Sequence, residues 1–213
     1  MRNHMKIRTR FRSFLRVCGA ATLAVAALVA SERVAAAQAA SGPASIGRMR
    51  LSFSIVPAPL GSIESTFAGQ KISTDAAVAF GLRPAFDYSI NKYLFVGFGP
   101  QFLFNVKADS GGDAGKAVDL LLRVGGHAPV ADHVQLYGYL APGYSIYYPP
   151  IGNDDPSGFV LGVAVGALFS INERLFASAD IGYQLGYQEE QFVASSFEGL
   201  RYLLIGLGIG MKL

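Results

Sequence analysis

Leu203-Leu204-Ile205-Gly206-Leu207-Gly208-Ile209-Gly210-Met211-Lys212-Leu213 closes the chain. Every odd position in it is large and apolar, and from Gly206 every even position is Gly or Lys. Successive side chains of a strand point to opposite faces, so this segment has one greasy face and one small face. A soluble sheet seldom ends on a free apolar edge, because unpaired edges invite aggregation. A closed barrel removes the edge by pairing the last strand with the first.

The other end of the sequence reads as a targeting signal. Arg2, Lys6, Arg8, Arg10, Arg12 and Arg16 precede a short apolar core over residues 17–30. That core falls within the roughly 7–15 residues of a secretory leader and is too short for a spanning helix. Ala37 and Ala39 fit an A-x-A cleavage site after Ala39, with cleavage after Ala37 or Ala30 as alternatives. The sequence thus divides into a signal peptide, 1–39, and one domain, 40–213, expected to be exported through the general secretory route and, if the closed-barrel reading of its last strand holds, to reach the outer membrane.

The leader distorts the charge balance. Seven of the 18 Lys and Arg and one of the 15 Asp and Glu lie in residues 1–39, leaving 11 against 14, a net −3, over residues 40–213. A basic surface for nucleic acid loses its support. Cys18, the single cysteine, lies in the leader, so the domain is expected to carry no disulfide and no Cys metal site. A lipoprotein reading of Cys18 is poor, because the apolar core follows it.

Beyond the leader, apolar residues are spread through alternating segments, and no run approaches the roughly 18 residues of a membrane helix. Spread alternation of this kind suits a membrane barrel. Eight antiparallel strands are predicted, at 49–57, 76–88, 93–106, 116–125, 133–147, 158–169, 175–187 and 197–213. Pro84, Pro100 and Pro142 fall inside these runs and read as bulges or strand ends, because proline cannot donate to a ladder. Short connections at 89–92, 126–132 and 170–173 alternate with longer ones at 58–75, 107–115, 148–156 and 188–196. Two short turns share a design, Ser89-Ile90-Asn91-Lys92 and Ser170-Ile171-Asn172-Glu173, read as hairpin chemistry. Short turns on one rim and long loops on the other match an up-and-down transmembrane barrel, with the short turns periplasmic.

With its leader, alternating strands, Ser-Ile-Asn turns and Gly-Ile-Gly-Met-Lys-Leu end, the chain resembles the small outer-membrane β-barrel superfamily over residues 46–213. That superfamily includes OmpX-like, opacity-protein-like and OmpA transmembrane domains. The resemblance implies an all-β eight-stranded barrel in contact with outer-membrane lipid. It also implies that Leu203 to Leu213 is read by the barrel-assembly machinery, with Leu213 standing where Phe is common. The sequence given ends at Leu213, so a peptidoglycan-anchoring domain after the barrel is not expected.

Strand parity places Arg50, Arg83, Asp87, Asp119, Arg123, Asp180 and Gln184 on the lumen face. They offer two readings, a polar path for solutes or structural pairing inside a narrow barrel. An eight-stranded lumen is just wide enough for side chains to fill it, which favours pairing. Arg50 is expected near Arg83 and Asp87. A lipid-modifying enzyme would need a nucleophile or base near the outer leaflet. His127 and His133 both fall in the 126–132 connection region at the opposite rim, and Glu189, Glu190 and Glu198 have no supporting spacing. Tyr144, Tyr147, Tyr148, Tyr183 and Tyr187 read as interfacial girdle or loop packing. Acidic loop residues Asp109, Asp113, Asp154 and Asp155 lack calcium-loop spacing. No catalytic, cofactor or metal residues are therefore assigned. The expected role is non-enzymatic, structural or surface-interacting, carried by the long loops over a plugged lumen. A small pore and, less favoured, a lipid-modifying enzyme are the alternatives.

Overall fold

In the computed structural model, residues 49–67, 70–150, 155–188, 190–191 and 195–213 are described. The leader and its cleavage site lie outside them. Eleven strands form one antiparallel sheet: β1 (Met49–Ala58), β2 (Leu60–Phe67), β3 (Gln70–Ala76), β4 (Ala79–Ser89), β5 (Leu94–Val106), β6 (Gly115–Ala131), β7 (Val134–Tyr148), β8 (Ser157–Ser170), β9 (Leu175–Gln188), β10 (Glu190–Gln191) and β11 (Ser195–Lys212). Neighbours run β1-β4-β5-β6-β7-β8-β9-β11, and β11 pairs back onto β1. β2 continues β1, β3 continues β4, and β10 extends the β9–β11 hairpin, so the eleven segments make a closed barrel of eight staves.

Closure uses the alternating C-terminal segment, with Arg50 paired to Lys212 and Ile55 to Leu207. Beyond Ile55 the partner changes phase, and Leu60 faces Leu203. Four residues of the first stave, including Pro57 and Pro59, therefore oppose three of β11, a bulge at a point where two backbone donors are missing. Inward parity reverses across it. Arg50, Ser54, Val56 and Ala58 face in below the bulge, and Ile63 packs inward above it.

The outer surface is apolar. Leu51, Phe53, Ile55, Leu122, Val124, Leu140, Ile181, Leu207 and Ile209 are all exposed. A soluble barrel would hide this set, whereas a membrane barrel presents it to lipid. The two Ser-Ile-Asn turns share one geometry. Asn91 Oδ1 accepts from the N–H groups of Tyr93 and Leu94, both at 2.8 Å. Asn172 Oδ1 accepts from Arg174 and Leu175 at 2.9 and 2.8 Å. The repeat is an Asx-type turn, as its chemistry suggested.

Four expectations are corrected. The 58–75 connection is not a loop, because β2 and β3 form a hairpin supported by the upper end of β11. The third short turn is tighter than 126–132. β6 runs to Ala131 and pairs it with Val134, and Gly125 and Gly126 stay in the ladder opposite Tyr139 and Gly138. The 188–196 connection is partly β10, paired with Ser196 and Phe197. Pro84, Pro100 and Pro142 are neither strand ends nor bulges. Pairing between β4 and β5 lapses from Leu82–Phe102 to Phe86–Phe98, and the register on both sides is the same. Pro84 still pairs with Phe53 on its other side, and Pro142 with Leu161. Each ring thus costs bonds toward one neighbour only. The bulge in β5 falls instead at Asn105, whose φ of 61° is left-handed, and its Nδ2 donates to Val78 O at 2.7 Å. Asn is among the few residues that visit this region readily.

Candidate functional site: the lumen

The lumen is built in layers, beginning at the short-turn end. Arg50 and Asp87 are register partners, and Asp87 and Arg123 both pair with Gly97. A Cβ on Gly97 would lie 2.2 Å from Asp87 Oδ1, so the missing side chain is what lets Arg123 reach across to that carboxylate. Arg123 Nη1 lies 3.1 and 3.2 Å from the two oxygens of Asp87, and Arg50 Nη2 lies 3.9 Å away. Aromatic rings complete the layer. The Arg50 guanidinium sits 5.1 Å from the Phe95 ring centre, and that of Arg123 sits 4.2 Å from the Tyr139 ring. His127 stacks on Phe95 at 5.9 Å.

The next layer crosses the barrel. Arg83 of β4 donates through Nη2 to both oxygens of Asp180 on β9, at 2.8 and 2.6 Å. Tyr137 OH donates to Asp180 Oδ2 at 2.8 Å. Gly206 lies beneath the pair, and a Cβ there would come within 2.4 Å of Arg83 Nη2 and 2.5 Å of Asp180 Oδ1. The small face of the C-terminal strand is thus the floor on which this ion pair rests.

A third layer is a carboxamide bridge. Gln184 Nε2 donates to Asp119 Oδ2 at 2.7 Å, and Gln101 Nε2 donates to Gln184 Oε1 at 2.7 Å and to Asp119 Oδ2 at 3.2 Å. Gln101 and Asp119 are fully buried. Above it the lumen turns apolar, with Val56, Leu103, Val106, Leu200, Tyr202 and Leu204 packed together. A lumen cavity of about 20 Å³ lies in the short-turn half against Arg50, Ser54, Arg83, Asp87, Tyr137 and Asp180. That is room for a water molecule or two.

The structure places Arg50, Arg83, Asp87, Asp119, Arg123 and Asp180 all in the lumen and buried. It brings Arg50 to Asp87 but gives Arg83 a different partner, Asp180. Asp119 and Arg123 share a face of β6 yet belong to separate clusters. His127 does not lie in a turn. It is buried on β6, on the face of Asp119 and Arg123, and only His133 lies at the rim, exposed. Tyr147, read as girdle, is buried inside, as are Tyr137, Tyr139 and Tyr202. Strand parity was the signal for these: His127 is four residues from Arg123, and Tyr202 lies in phase with Gly206. Tyr144, Tyr148 and Tyr187 do face outward. Among the described residues, no group of three or more His, Cys, Asp or Glu could hold a metal ion.

At the long-loop end the outer face becomes polar. Arg201 pairs with Glu64 at 2.7 Å, and Lys71 with Glu198 at 2.8 Å, while Thr66 Oγ1 also donates to Glu198. These bonds hold Glu198 below the ordinary glutamate range and raise Lys71.

A closed eight-stave barrel with an apolar exterior and a polar, paired interior agrees with comparison to known proteins. The family model for the outer membrane protein beta-barrel domain matches residues 21–212. The chain belongs to this family. Solved structures share the fold at low identity. Neisserial surface protein A is 14% identical with a TM-score of 0.56, covering 78% of this chain and 97% of its own. The outer membrane protein OprG from Pseudomonas aeruginosa is 14% identical with a TM-score of 0.55, covering 78% and 95%. The outer membrane protein AlkL, solved in lipid bilayers, is 13% identical with a TM-score of 0.52, covering 82% and 95%. No curated protein sequence matches the chain. The barrel is therefore an outer-membrane barrel, in which short turns conventionally face the periplasm and long loops the exterior.

Proposed function

We propose that this chain is a non-enzymatic outer-membrane barrel with a plugged lumen, and that its role in envelope structure or surface interaction is carried by its long-loop end. One observation carries the reading. The lumen is occupied in successive layers by the Arg50–Asp87–Arg123 cluster, the Arg83–Asp180 pair, the Gln101–Asp119–Gln184 bridge and an apolar lid that includes Tyr202. A pore needs a continuous wet path, and fully buried Gln101, Asp119 and Tyr202 lie across it. Paired lumen charges serve stability and register, as expected of a narrow barrel.

The surface reading follows from what remains. Binding residues concentrate on loops held by rigid scaffolds. Here those are the β2–β3 hairpin, residues 107–114, residues 149–156 and the β9–β11 connection. Residues 107–114 are tied down on the hairpin, since Asp109 N–H donates to Asp75 O at 2.8 Å. The lipid-modifying alternative loses its histidines, because His127 is enclosed at the short-turn end and His133 lies on that rim. Of the carboxylates it could use, Glu189 lies outside the described residues, and Glu198 is engaged by Thr66 and Lys71. The reading includes a cleaved leader, contact with outer-membrane lipid, and recognition of Leu203 to Leu213 by the assembly machinery.

Exchange of the long loops for short Gly-Ser turns tests it. Folding and insertion should persist while any adhesion or envelope phenotype of the parent strain disappears. Full function of the loop-less barrel, together with loss of function on Asp119→Ala or Arg123→Ala, would make the lumen the functional site.

A further inference from the structure

Positive charge exceeds negative charge in the short-turn half of the lumen. Arg50, Arg83 and Arg123 are buried there against Asp87 and Asp180. Arg83 and Asp180 satisfy one another through two short bonds. Arg50 and Arg123 must share Asp87, and the 3.9 Å approach of Arg50 is too long for a hydrogen bond. Asp119, the remaining lumen carboxylate of the set, lies four residues from Arg123 along β6, roughly 13 Å at strand rise, and takes its bonds from Gln101 and Gln184. Lys212, the register partner of Arg50, adds further positive charge near the mouth.

Hydrogen bonding is also incomplete on both sides of this cluster, since Asp87 Oδ1, although 3.1 Å from Arg123 Nη1, accepts no well-aligned bond. Nε and Nη1 of Arg50 and Nε of Arg123 have no partner, although the two side chains are only 4% and 6% exposed. The Phe95 ring covers a face of the Arg50 guanidinium but cannot accept its in-plane donors well. Enclosed cations with open donors are strongly unfavourable unless something pairs with them. The cavity of about 20 Å³ is lined by both arginines, Asp87 and Phe95.

We infer that this cavity is an anion site, taking one small monovalent anion of the halide class between Arg50 and Arg123. Its size decides the class. The volume has room for one or two water molecules, which suits a bare halide ion, and a phosphate or a carboxylate-bearing solute would need more. Water alone would fill the space and accept some of the bonds but would leave the charge unbalanced. The inference does not depend on the surface role proposed above, since a sealed barrel can hold a structural anion whatever its loops do.

The direct test is a crystal of the detergent-solubilised protein grown with sodium bromide, with diffraction recorded at the bromine edge. An anomalous peak within hydrogen-bonding reach of the Arg50 and Arg123 guanidinium groups is expected. Anomalous density confined to the outer surface, or a cavity holding only water, would overturn the proposal, and this arm requires no variant. In solution, the urea midpoint of the wild-type barrel should rise in sodium bromide relative to sodium gluconate at equal ionic strength. Arg50→Gln removes the excess charge and should raise the bromide Kd, read from the dependence of the midpoint on bromide concentration, by about tenfold or more, as loss of a charged hydrogen bond implies. An undiminished bromide effect in that variant would count equally against the site.

Discussion

Asp180→Ala is the substitution that reads the lumen most sharply. Asp180 accepts three bonds, two from Arg83 at 2.8 and 2.6 Å and one from Tyr137 at 2.8 Å. Its removal leaves a buried guanidinium and a buried hydroxyl without their acceptor. Breaking a buried ion pair from one side costs about 3–5 kcal/mol, mostly the penalty of the stranded charge. Arg83→Ala should cost a similar amount by stranding the carboxylate. The double variant removes both charges, so its loss should fall short of the sum by about 2–3 kcal/mol, within the range for residues sharing a network. Gly206→Ala supplies an independent arm, because its Cβ would sit 2.4 Å from Arg83 Nη2 and must push the pair apart. The assay is reversible urea unfolding in detergent or lipid vesicles, followed by tyrosine fluorescence and by the gel mobility of the folded barrel. A loss below about 1 kcal/mol for Asp180→Ala, the range of an exposed pair, would refute the claim that this pair is desolvated and structural.

Three further outcomes are expected. Leu207→Arg puts a charge on the lipid-facing side of β11 and should cost about 2–4 kcal/mol if that position is near the bilayer midplane, measured by folding into vesicles. Asn105→Ala should cost about 1 kcal/mol or more through the left-handed backbone and the lost bond to Val78 O, while Asn105→Gly should recover the backbone part; urea unfolding separates them. Glu198 is held below its ordinary range, so its bond to Lys71 supports the β2–β3 hairpin above that range and is lost as pH falls through the lowered value; hydrogen exchange of hairpin amides should accelerate there and remain slow at neutral pH.

Alternation was legible wherever one face of a strand meets lipid. It located the last strand from Leu203 onward and the strand that carries Leu175, Ile181 and Asp180, because apolar and small residues take strict turns there. It failed at β2 and β3, which rise beyond the lipid-facing zone, where Glu64, Thr66, Lys71 and Ser73 take the place of apolar residues. Those strands depend on pairing with β11, a partner more than 120 residues away in sequence. Parity put six charged residues in the lumen but not their partners, since the barrel's shear brings Arg83 to Asp180 across staves that are not adjacent. The tyrosines misled for a related reason. Aromatics crowd interfacial girdles, yet Tyr147 is buried, and its ring occupies the space beside Gly115, where a Cβ would come within 2.6 Å of its hydroxyl. The prolines misled because a proline in a barrel strand forfeits bonds to one neighbour while the other holds the register.

Planar-bilayer recording of the purified protein tests the central claim, that the lumen is sealed by its own side chains. The layered lumen predicts no steady, reproducible unitary conductance for the wild-type barrel, in low or high salt. Regular openings whose size changes with Asp119→Ala or Arg123→Ala would contradict it and identify the lumen as a pore.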